Sequence, residues 1–396
     1  MDTALPYIAV ALLLLWLYKR EQQQLQRPQQ RLNTLSPEGN VGHRVSRSAA
    51  NAAFIIVWLF IGFRGHLYSD FINYYPFYED LPTINCLTSA SFTRYMFEPG
   101  FVIYSSVVKS LGFDYFGWVA VGSFIDLWVC RQTFRRYSSS LVLPFLFFIA
   151  YNGLVIEFNL YRNAKAIDLF LLSLPALQHR RTTRYMLLNT LGITFHLSSV
   201  VYLPAYFVLH RNIGSAVRWC GIVFANIIFL GRINVVNRII LSLGVLQPTA
   251  LYDKLTSHVQ HSTASYALSF GHIERTIAIL LFTVLYGRME QQRRSNRIFY
   301  NCLWIYYVTF LIFHEIEVLA TRIPILFVCG YWILYTNVAT LRFRWRQVVL
   351  LAAIALAFAK IITANLSPAA RYDNLLFGIE EYASRRREVL PLLEKD

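Results

Sequence analysis

The sequence predicts an all-α polytopic integral membrane protein, and three observations support this fold class. Hydrophobic residues make up 56% of the 396-residue chain and charged residues only 15%, whereas a soluble domain usually carries about 25% charged residues. The apolar residues fall in blocks of membrane-spanning length. Arginine and lysine recur between these blocks, as is typical of cytoplasmic loops. The whole chain, 1–396, is therefore interpreted as a single transmembrane domain.

Composition also excludes several function classes. The net charge of +15 is explained by an excess of basic residues at the inner membrane face, and no module typical of nucleic-acid binding is present. The five cysteines have no metal-ligand or CxxC spacing, so neither a disulfide nor a metal site is predicted. The chain has no Walker loop and no dinucleotide fingerprint, and we expect no cofactor.

Charge placement predicts the topology. The first apolar run, Leu5–Tyr18, precedes Lys19 and Arg20, which indicates a retained first span with its N-terminus outside. Residues 19–50 are basic and rich in Gln, as expected of a cytoplasmic loop. Continuing this alternation gives about 11–13 transmembrane helices by the length and charge rules.

The segment that follows the second span is predicted to be an exoplasmic loop, 64–112. Its last part, Gly100–Leu111, is apolar but much shorter than the ~20 residues that cross a bilayer. The next apolar run ends at Arg131, Arg135 and Arg136, which are expected on the cytoplasmic side. We therefore predict that 95–112 is a re-entrant or interfacial helix.

Two further extramembrane regions are predicted nearer the C-terminus. Residues 231–272 begin with alternating basic and aliphatic residues, which favours an exoplasmic amphipathic helix followed by a loop. Residues 366–396 form a predicted C-terminal tail.

The stretch Phe63–Phe101 concentrates charged and aromatic side chains at the mouth of a membrane span. Charged groups at this depth are costly unless they pair or line a wet cavity, so they are functional candidates. Arginines at the predicted outer face also contradict the positive-inside preference. A dianionic ligand at the outer leaflet explains them, because the guanidinium fork matches phosphate geometry.

Structural explanations remain open for several of these groups. Arg64 is equally well explained by an ion pair with Asp70 or Glu98 that organises the loop. Lys165 and Asp168 are best interpreted as a buried pair. His196, which lies in an apolar run, is explained without catalysis if it is a neutral histidine that caps a helix break.

Three segments resemble the EpsG-type Wzy polysaccharide polymerases of bacterial envelopes. The first is FRGHLYSDFINYY (Phe63–Tyr75) with FEPGF (Phe97–Phe101). The second is FNLYRNAKA (Phe158–Ala166), which is similar to the family's Asn-x-x-Arg helix start but has Asn163 where Gln is usual. The third is ITFHLSSVVYLP (Ile193–Pro204), which is similar to the family's Phe-His-x-Ser segment.

The resemblance implies a membrane glycosyltransferase of GT-C-like architecture in the bacterial inner membrane, with its active site facing the periplasm. Such enzymes polymerise undecaprenyl-diphosphate-linked oligosaccharide repeats. They transfer the growing glycan from its lipid diphosphate to the non-reducing end of an incoming lipid-linked repeat. Neither a nucleotide sugar nor a metal is implied, and a chain-length regulator protein is an expected partner.

Glycosyl transfer needs a base for the acceptor hydroxyl and stabilisation of the departing diphosphate. Our hypothesis assigns Asp70 as the base, with Glu98 and His196 as rivals. Four arginines are the predicted diphosphate ligands: Arg64, Arg162, Arg275 and Arg322. Four further side chains are predicted to line the glycan path: His66, Tyr74, Tyr75 and Tyr78.

Two other function classes remain open. A transporter or flippase of lipid-linked glycans also needs cationic groups and a cavity, but we expect its site at the bilayer midplane. A multispan O-acyltransferase needs a reactive histidine that faces a cytosolic acyl donor, and the predicted exoplasmic position of His196 argues against it.

Overall fold

The computed structural model of the chain describes residues 2–31, 41–235, 238 and 269–393. Within these ranges it is helical and contains no β-strand, which confirms the all-α fold class. In chain order the α-helices are α1 (Leu5–Arg31), α2 (Val41–Gly62), α3 (Phe71–Asp80), α4 (Ser89–Tyr95), α5 (Pro99–Ser110), α6 (Tyr115–Tyr137), α7 (Leu143–Phe148), α8 (Leu154–Asn159), α9 (Tyr161–Gln178), α10 (Thr182–Ile193), α11 (Tyr202–Leu209), α12 (Ser215–Leu230), α13 (Phe270–Gln292), α14 (Asn296–Ile312), α15 (Glu317–Ile325), α16 (Cys329–Val338), α17 (Arg346–Ala364) and α18 (Tyr382–Leu393).

The helices divide into two compact units. The first comprises Met1–Leu203 and Tyr335–Asp396, and the second comprises Pro204–Leu334. In the first unit α2 packs against α1 and α6, and α9 packs against α6 and α10. In the second unit α14 packs against α12, α13 and α15. The packing of α6, α9 and α10 matters most here, because these helices support the candidate site.

Three of the described helical segments are long and apolar enough to cross a membrane: Asp2–Leu25, Phe270–Gln292 and Arg346–Ala364. Two bent helix pairs bring the number to five if each is one span. These pairs are Pro99–Ser110 with Tyr115–Tyr137, bent by 119°, and Leu319–Ile325 with Cys329–Val338, bent by 53°. The helices therefore have the character of a polytopic membrane protein.

The predicted total of about 11–13 spans exceeds what these helices support by length and composition. Other described apolar helical segments are only 10–17 residues long, among them Ser48–Gly62 and Ser215–Leu230. The run Leu143–Asn159 is interrupted at Asn152, which has a φ of 61°. The sequence rule counts apolar residues along the chain and does not detect such backbone breaks.

The predicted exoplasmic loop is itself largely helical. It contains α3, α4 and α5, and α5 occupies most of the range 95–112 for which a separate short helix was predicted. Pro99 starts α5, a position where its missing N–H costs nothing. The helix α6 begins after Asp114, whose carboxylate accepts a hydrogen bond from the Gly117 N–H at 2.8 Å. Whether α5 is re-entrant or interfacial stays a prediction.

The other two predicted extramembrane regions have different outcomes. The region 231–272 lies largely outside the described residues. The described part of the predicted tail, 366–393, contains a short 3₁₀ turn (Pro368–Ala370) and α18. It packs on the segment that connects α2 to α3, so the tail is part of the folded first unit.

Candidate functional site

The three segments that carry polar motifs meet in the first unit. The Arg162 guanidinium at the start of α9 lies 2.6 Å from a Glu98 carboxylate oxygen. The other Glu98 oxygen accepts a hydrogen bond from the Leu197 N–H at 3.1 Å. The Gly100 N–H donates to the Thr194 carbonyl at 2.8 Å. Glu98 therefore connects two segments that are distant from it in the sequence.

Arg162 is held in place by aromatic side chains as well as by Glu98. Its Nε donates to the Tyr74 hydroxyl at 3.3 Å, and its guanidinium lies 4.6 Å from the centre of the Phe97 ring. Tyr74 in turn stacks on Tyr161 with ring centres 4.4 Å apart. The Arg162 side chain remains 23% exposed. It is thus positioned by fixed partners and still accessible to a ligand.

Glu98 immediately precedes α5, so its carboxylate lies near the positive end of that helix. Burial opposes ionisation of this group. The Arg162 guanidinium and the Leu197 N–H outweigh burial and lower the pKa of Glu98 below its ordinary value. An added Cβ at Gly100 would clash with the Thr194 hydroxyl and lie 2.8 Å from the Thr194 carbonyl oxygen. Glycine is therefore required where α5 approaches the His196 segment.

His196 caps the 3₁₀ turn Leu197–Val201 through its own side chain. Its Nδ1 accepts from the Ser198 N–H at 3.2 Å and lies 2.7 Å from the Ser198 hydroxyl. The Asn163 amide donates to the same hydroxyl at 3.2 Å. Acceptance at Nδ1 places the proton of the neutral imidazole on Nε2. This contact agrees with the explanation of His196 as a neutral histidine that caps a helix break. A role of His196 as the catalytic base stays a prediction.

Asp70 lies at the N-terminus of α3, and the NLYRN motif holds its backbone. The Asn159 side-chain oxygen accepts from the N–H groups of Ser69 and Asp70 at 3.2 and 3.3 Å. Burial raises the pKa of Tyr74 to about 12, with the negative charge of Asp70 adding to this effect and Arg162 opposing it. Asp70 and Arg162 therefore act on the same Tyr74 hydroxyl.

Arg64 lies deeper than Arg162 and is only 2% exposed. Its guanidinium donates to the carbonyls of Ile61 and Glu157 at 2.6 and 2.5 Å and to the Ser123 hydroxyl at 3.3 Å. Glu98 pairs with Arg162 instead. The explanation of Arg64 as the partner of Glu98 is therefore wrong, because the Arg64 guanidinium binds acceptors on α2, α6 and α8.

A buried charged cluster surrounds Arg64. A cavity of about 20 Å³ lies among Arg64, Asp126, Glu157 and Lys165, a volume that suits about one water molecule. Lys165 lies 2.5 Å from Asp126 on the facing helix α6. Asp168, one turn further along α9 than Lys165, is buried as predicted. The ion pair of Lys165 thus crosses between helices rather than running along α9.

The predicted glycan-path residues differ in accessibility. Tyr78 is 1% exposed, stacks on Trp118 and donates to the Phe113 carbonyl at 2.9 Å. Tyr75 is half-buried and stacks on Tyr382 of α18. His66 is buried among aromatic rings, where burial and then Arg385 lower its pKa to about 4, so it is neutral at neutral pH.

The other two predicted diphosphate ligands belong to the second unit. Arg275 lies 4.0 Å from the centre of the Phe310 ring and donates to the Tyr306 hydroxyl at 3.3 Å. Arg322 lies in the last turn of α15 and is half-buried. Their role as diphosphate ligands stays a prediction.

Sequence reasoning missed several residues of this site. Asn159 and Tyr161 lie in the FNLYRNAKA segment (Phe158–Ala166), and their closeness to Arg162 in the sequence could have identified them as site residues. Ser198 is the partner of both His196 and Asn163. Within the described residues, no group of three or more His, Cys, Asp or Glu side chains has a metal-binding arrangement.

Comparison with known proteins identifies the family of the chain. The model of the EpsG family matches residues 49–376, a range that contains Glu98, Arg162 and His196. No curated protein and no solved structure matches the chain. The family match covers most of the 396 residues. The chain therefore belongs to the EpsG family.

Proposed function

We propose that this membrane protein polymerises undecaprenyl-diphosphate-linked oligosaccharide repeat units. It transfers the growing glycan from its lipid diphosphate to the non-reducing end of an incoming lipid-linked repeat. Membership of the EpsG family supports a polysaccharide-polymerase role and lipid-linked saccharide substrates. The observation that carries the proposal is the accessible Arg162–Glu98 pair beside His196 and Tyr74.

The chemistry requires one cation and one base near each other. In the reaction the acceptor hydroxyl oxygen bonds to the anomeric carbon, and the bond from that carbon to the diphosphate oxygen breaks. The hydroxyl proton moves to the base, and the diphosphate leaves with the bonding electrons. Arg162 binds the diphosphate through its guanidinium fork, and Asp70, Glu98 or His196 accepts the proton.

The ion pair between Arg162 and Glu98 suggests how donor binding could activate Glu98 as the base. A diphosphate that binds Arg162 competes with the Glu98 carboxylate, because both anions use the same guanidinium. Competition releases a carboxylate oxygen beside the Leu197 N–H and next to His196. Donor binding thus frees a proton acceptor at the place where the acceptor hydroxyl arrives.

The remaining predicted residues complete the proposal. Arg64, Arg275 and Arg322 are further candidate diphosphate ligands. Tyr74, Tyr75, Tyr78 and His66 are proposed to line or support the glycan path. The protein would lie in the bacterial inner membrane with a GT-C-like architecture and its site at the periplasmic face. A chain-length regulator would be its protein partner.

The direct test is a polymerisation assay with purified protein and lipid-linked repeats alone. The proposal predicts a ladder of polymer lengths without any nucleotide sugar. Arg162→Ala is expected to abolish the ladder. Arg94→Ala is the matched control, because Arg94 forms an ion pair of equal length with Asp80 at an exposed position.

A cellular experiment separates the alternatives. If the protein is a polymerase, cells carrying Arg162→Ala accumulate single lipid-linked repeats on the outer face of the membrane. Accumulation on the inner face would instead indicate a flippase. Long-chain polysaccharide at normal levels in both Arg162→Ala and Asp70→Asn cells, with normal protein levels, would contradict the proposed site.

A further inference from the structure

The segment that follows α17, residues 365–393, binds the backbone of the loop that leads to Asp70. The Gly65 N–H donates to the Asp373 carbonyl at 3.2 Å, and the Tyr68 N–H donates to the Ala369 carbonyl at 2.9 Å. The Leu375 N–H donates to the Phe63 carbonyl at 2.8 Å. Backbone groups from both ends of this loop are therefore satisfied by the C-terminal segment.

One buried guanidinium joins the two segments. Arg385 of α18 is 1% exposed, and its Nε donates to the His66 carbonyl at 3.0 Å. Its Nη2 donates to the carbonyls of Pro368 and Ala369, both at 3.0 Å, and Arg371, at 3.2 Å. Its Nη1 lies 2.6 Å from a Glu388 carboxylate oxygen. Loss of this side chain would remove one hydrogen bond from each of these four carbonyls and one from Glu388.

Side-chain packing makes the same connection. The Tyr382 ring stacks on Tyr75 with ring centres 4.4 Å apart, and its hydroxyl donates to the Ile72 carbonyl at 3.3 Å. The backbone of Gly65 approaches the Asp373 side chain so closely that an added Cβ would clash with the carboxylate. The loop and the C-terminal segment therefore fit together along their length.

The loop that the C-terminal segment binds, residues 63–70, continues directly into the candidate site. Two residues after Tyr68, the Asp70 N–H is bound by Asn159, and Tyr74 follows on α3 and accepts from Arg162. A shift of the loop would consequently move Asp70 and Tyr74 relative to Arg162. A misplacement of about 1 Å can cost about 100-fold in rate.

We propose that Arg385 is a positioning residue for the site, acting through the His66–Asp70 loop. This inference rests on the proposed polymerase function. Arg385 lies beyond residue 376, where the family match ends, so the family motifs do not include it. It is the first of three consecutive arginines, and the next two, Arg386 and Arg387, are exposed.

The triplet offers a matched experiment on the full-length protein in detergent or nanodiscs. Arg385→Gln is compared with Arg386→Gln by polymer-ladder rate and by hydrogen exchange. For Arg385→Gln we expect a rate loss of about 10- to 100-fold and faster exchange of peptides covering 63–70 and 366–376. Exchange of α13 should not change, which separates local displacement from global unfolding. Arg386→Gln should match the wild type in both measurements.

A second variant keeps the test decisive if Arg385→Gln does not accumulate as folded protein. Arg385→Lys retains the charge but not the guanidinium fork, and we expect an intermediate loss with a smaller change in loop exchange. Faster loop exchange with an unchanged rate would overturn the positioning role, and so would a lost rate with unchanged loop exchange. A wild-type protein that makes no polymer would contradict the proposed function itself, while the exchange data would still show whether Arg385 orders the loop.

Discussion

Two arginine–carboxylate pairs involve the same charged stretch, and both have an N–O distance of 2.6 Å. Arg94 and Asp80 are 66% and 46% exposed, whereas Arg162 and Glu98 are 23% and 20% exposed. Exposed pairs contribute only about 0–1 kcal/mol, because water and salt screen them. Pair distance alone therefore does not distinguish an exposed ion pair from a largely buried one.

The neighbours of the two pairs differ more than their distances do. Asp80 and Arg94 join the end of α3 to α4 within one loop, and Tyr95 adds a hydroxyl contact to Asp80. Glu98 and Arg162 connect segments 64 residues apart, and the Leu197 N–H and the Tyr74 hydroxyl complete the arrangement. Four predictions test whether this difference has functional consequences.

The largest effect is expected from removing the cation. Arg162→Ala should lower the polymerisation rate by about 10²- to 10³-fold, because the developing charge on the diphosphate loses a fixed donor. Arg94→Ala should leave the rate within about twofold of the wild type, since exposed pairs contribute little. The measurement is the initial rate of ladder formation by purified variants. An equal loss of polymerisation rate in Arg162→Ala and Arg94→Ala would contradict a special role of the Arg162–Glu98 pair.

A smaller effect with a distinctive kinetic pattern is expected from neutralising the carboxylates. Glu98→Gln should reduce kcat by about 100-fold if Glu98 is the base. It should also lower the KM for the donor, because Arg162 no longer pairs with a carboxylate. Asp80→Asn should change neither constant. A Glu98→Gln variant with normal kcat would assign the base role to Asp70 or His196.

A third prediction concerns the close approach of α5 to the His196 segment. Gly100→Ala should destabilise the protein by about 1–3 kcal/mol, because the new methyl group overlaps Thr194. It should also reduce the rate by less than Glu98→Gln does. Gly287→Ala in α13 is the control, since no atom of the described residues lies within 4 Å of its added Cβ. Thermal unfolding of the two variants provides the comparison.

The smallest effect is a pH dependence of stability. The pKa of Glu98 is lowered in the folded protein, so its contribution to stability is present above the unfolded pKa of about 4.3. This contribution is lost as the pH falls through the folded value. The difference in unfolding temperature between wild type and Glu98→Gln should therefore shrink on acidification below about pH 4.3. A difference that stays constant down to pH 3 would contradict the ion-pair explanation.

The fold class was predictable, whereas the number of spans was not. Composition and apolar block length suffice to predict an all-α membrane protein, because a long apolar helix satisfies its own backbone groups within a bilayer. The break at Asn152 and the 53° bend between α15 and α16 lie inside apolar runs. Apolar length along the chain carries no information about such bends.

The sequence predicted which residues are candidates for the site better than it predicted which of them contact each other. Glu98, Arg162 and His196 were recognisable because they are polar residues beside apolar runs and lie in motif-like segments. The partner of Glu98 was not recognisable, since charge alone suggested Arg64 and the observed partner is Arg162. Arg64 instead turns toward carbonyl groups of α2 and α8.

The sequence by itself determined the fold class, the resemblance to the EpsG family and the residue types available for the proposed glycosyl transfer. These follow from composition and short local motifs, which do not depend on how distant segments meet. Only the tertiary structure decided that Arg162 pairs with Glu98 and that Lys165 pairs with Asp126. It also decided that Arg385 is the buried residue of the three consecutive arginines. The physical reason is that charge pairing and burial depend on distances through space, and each of these contacts joins segments separated in the chain.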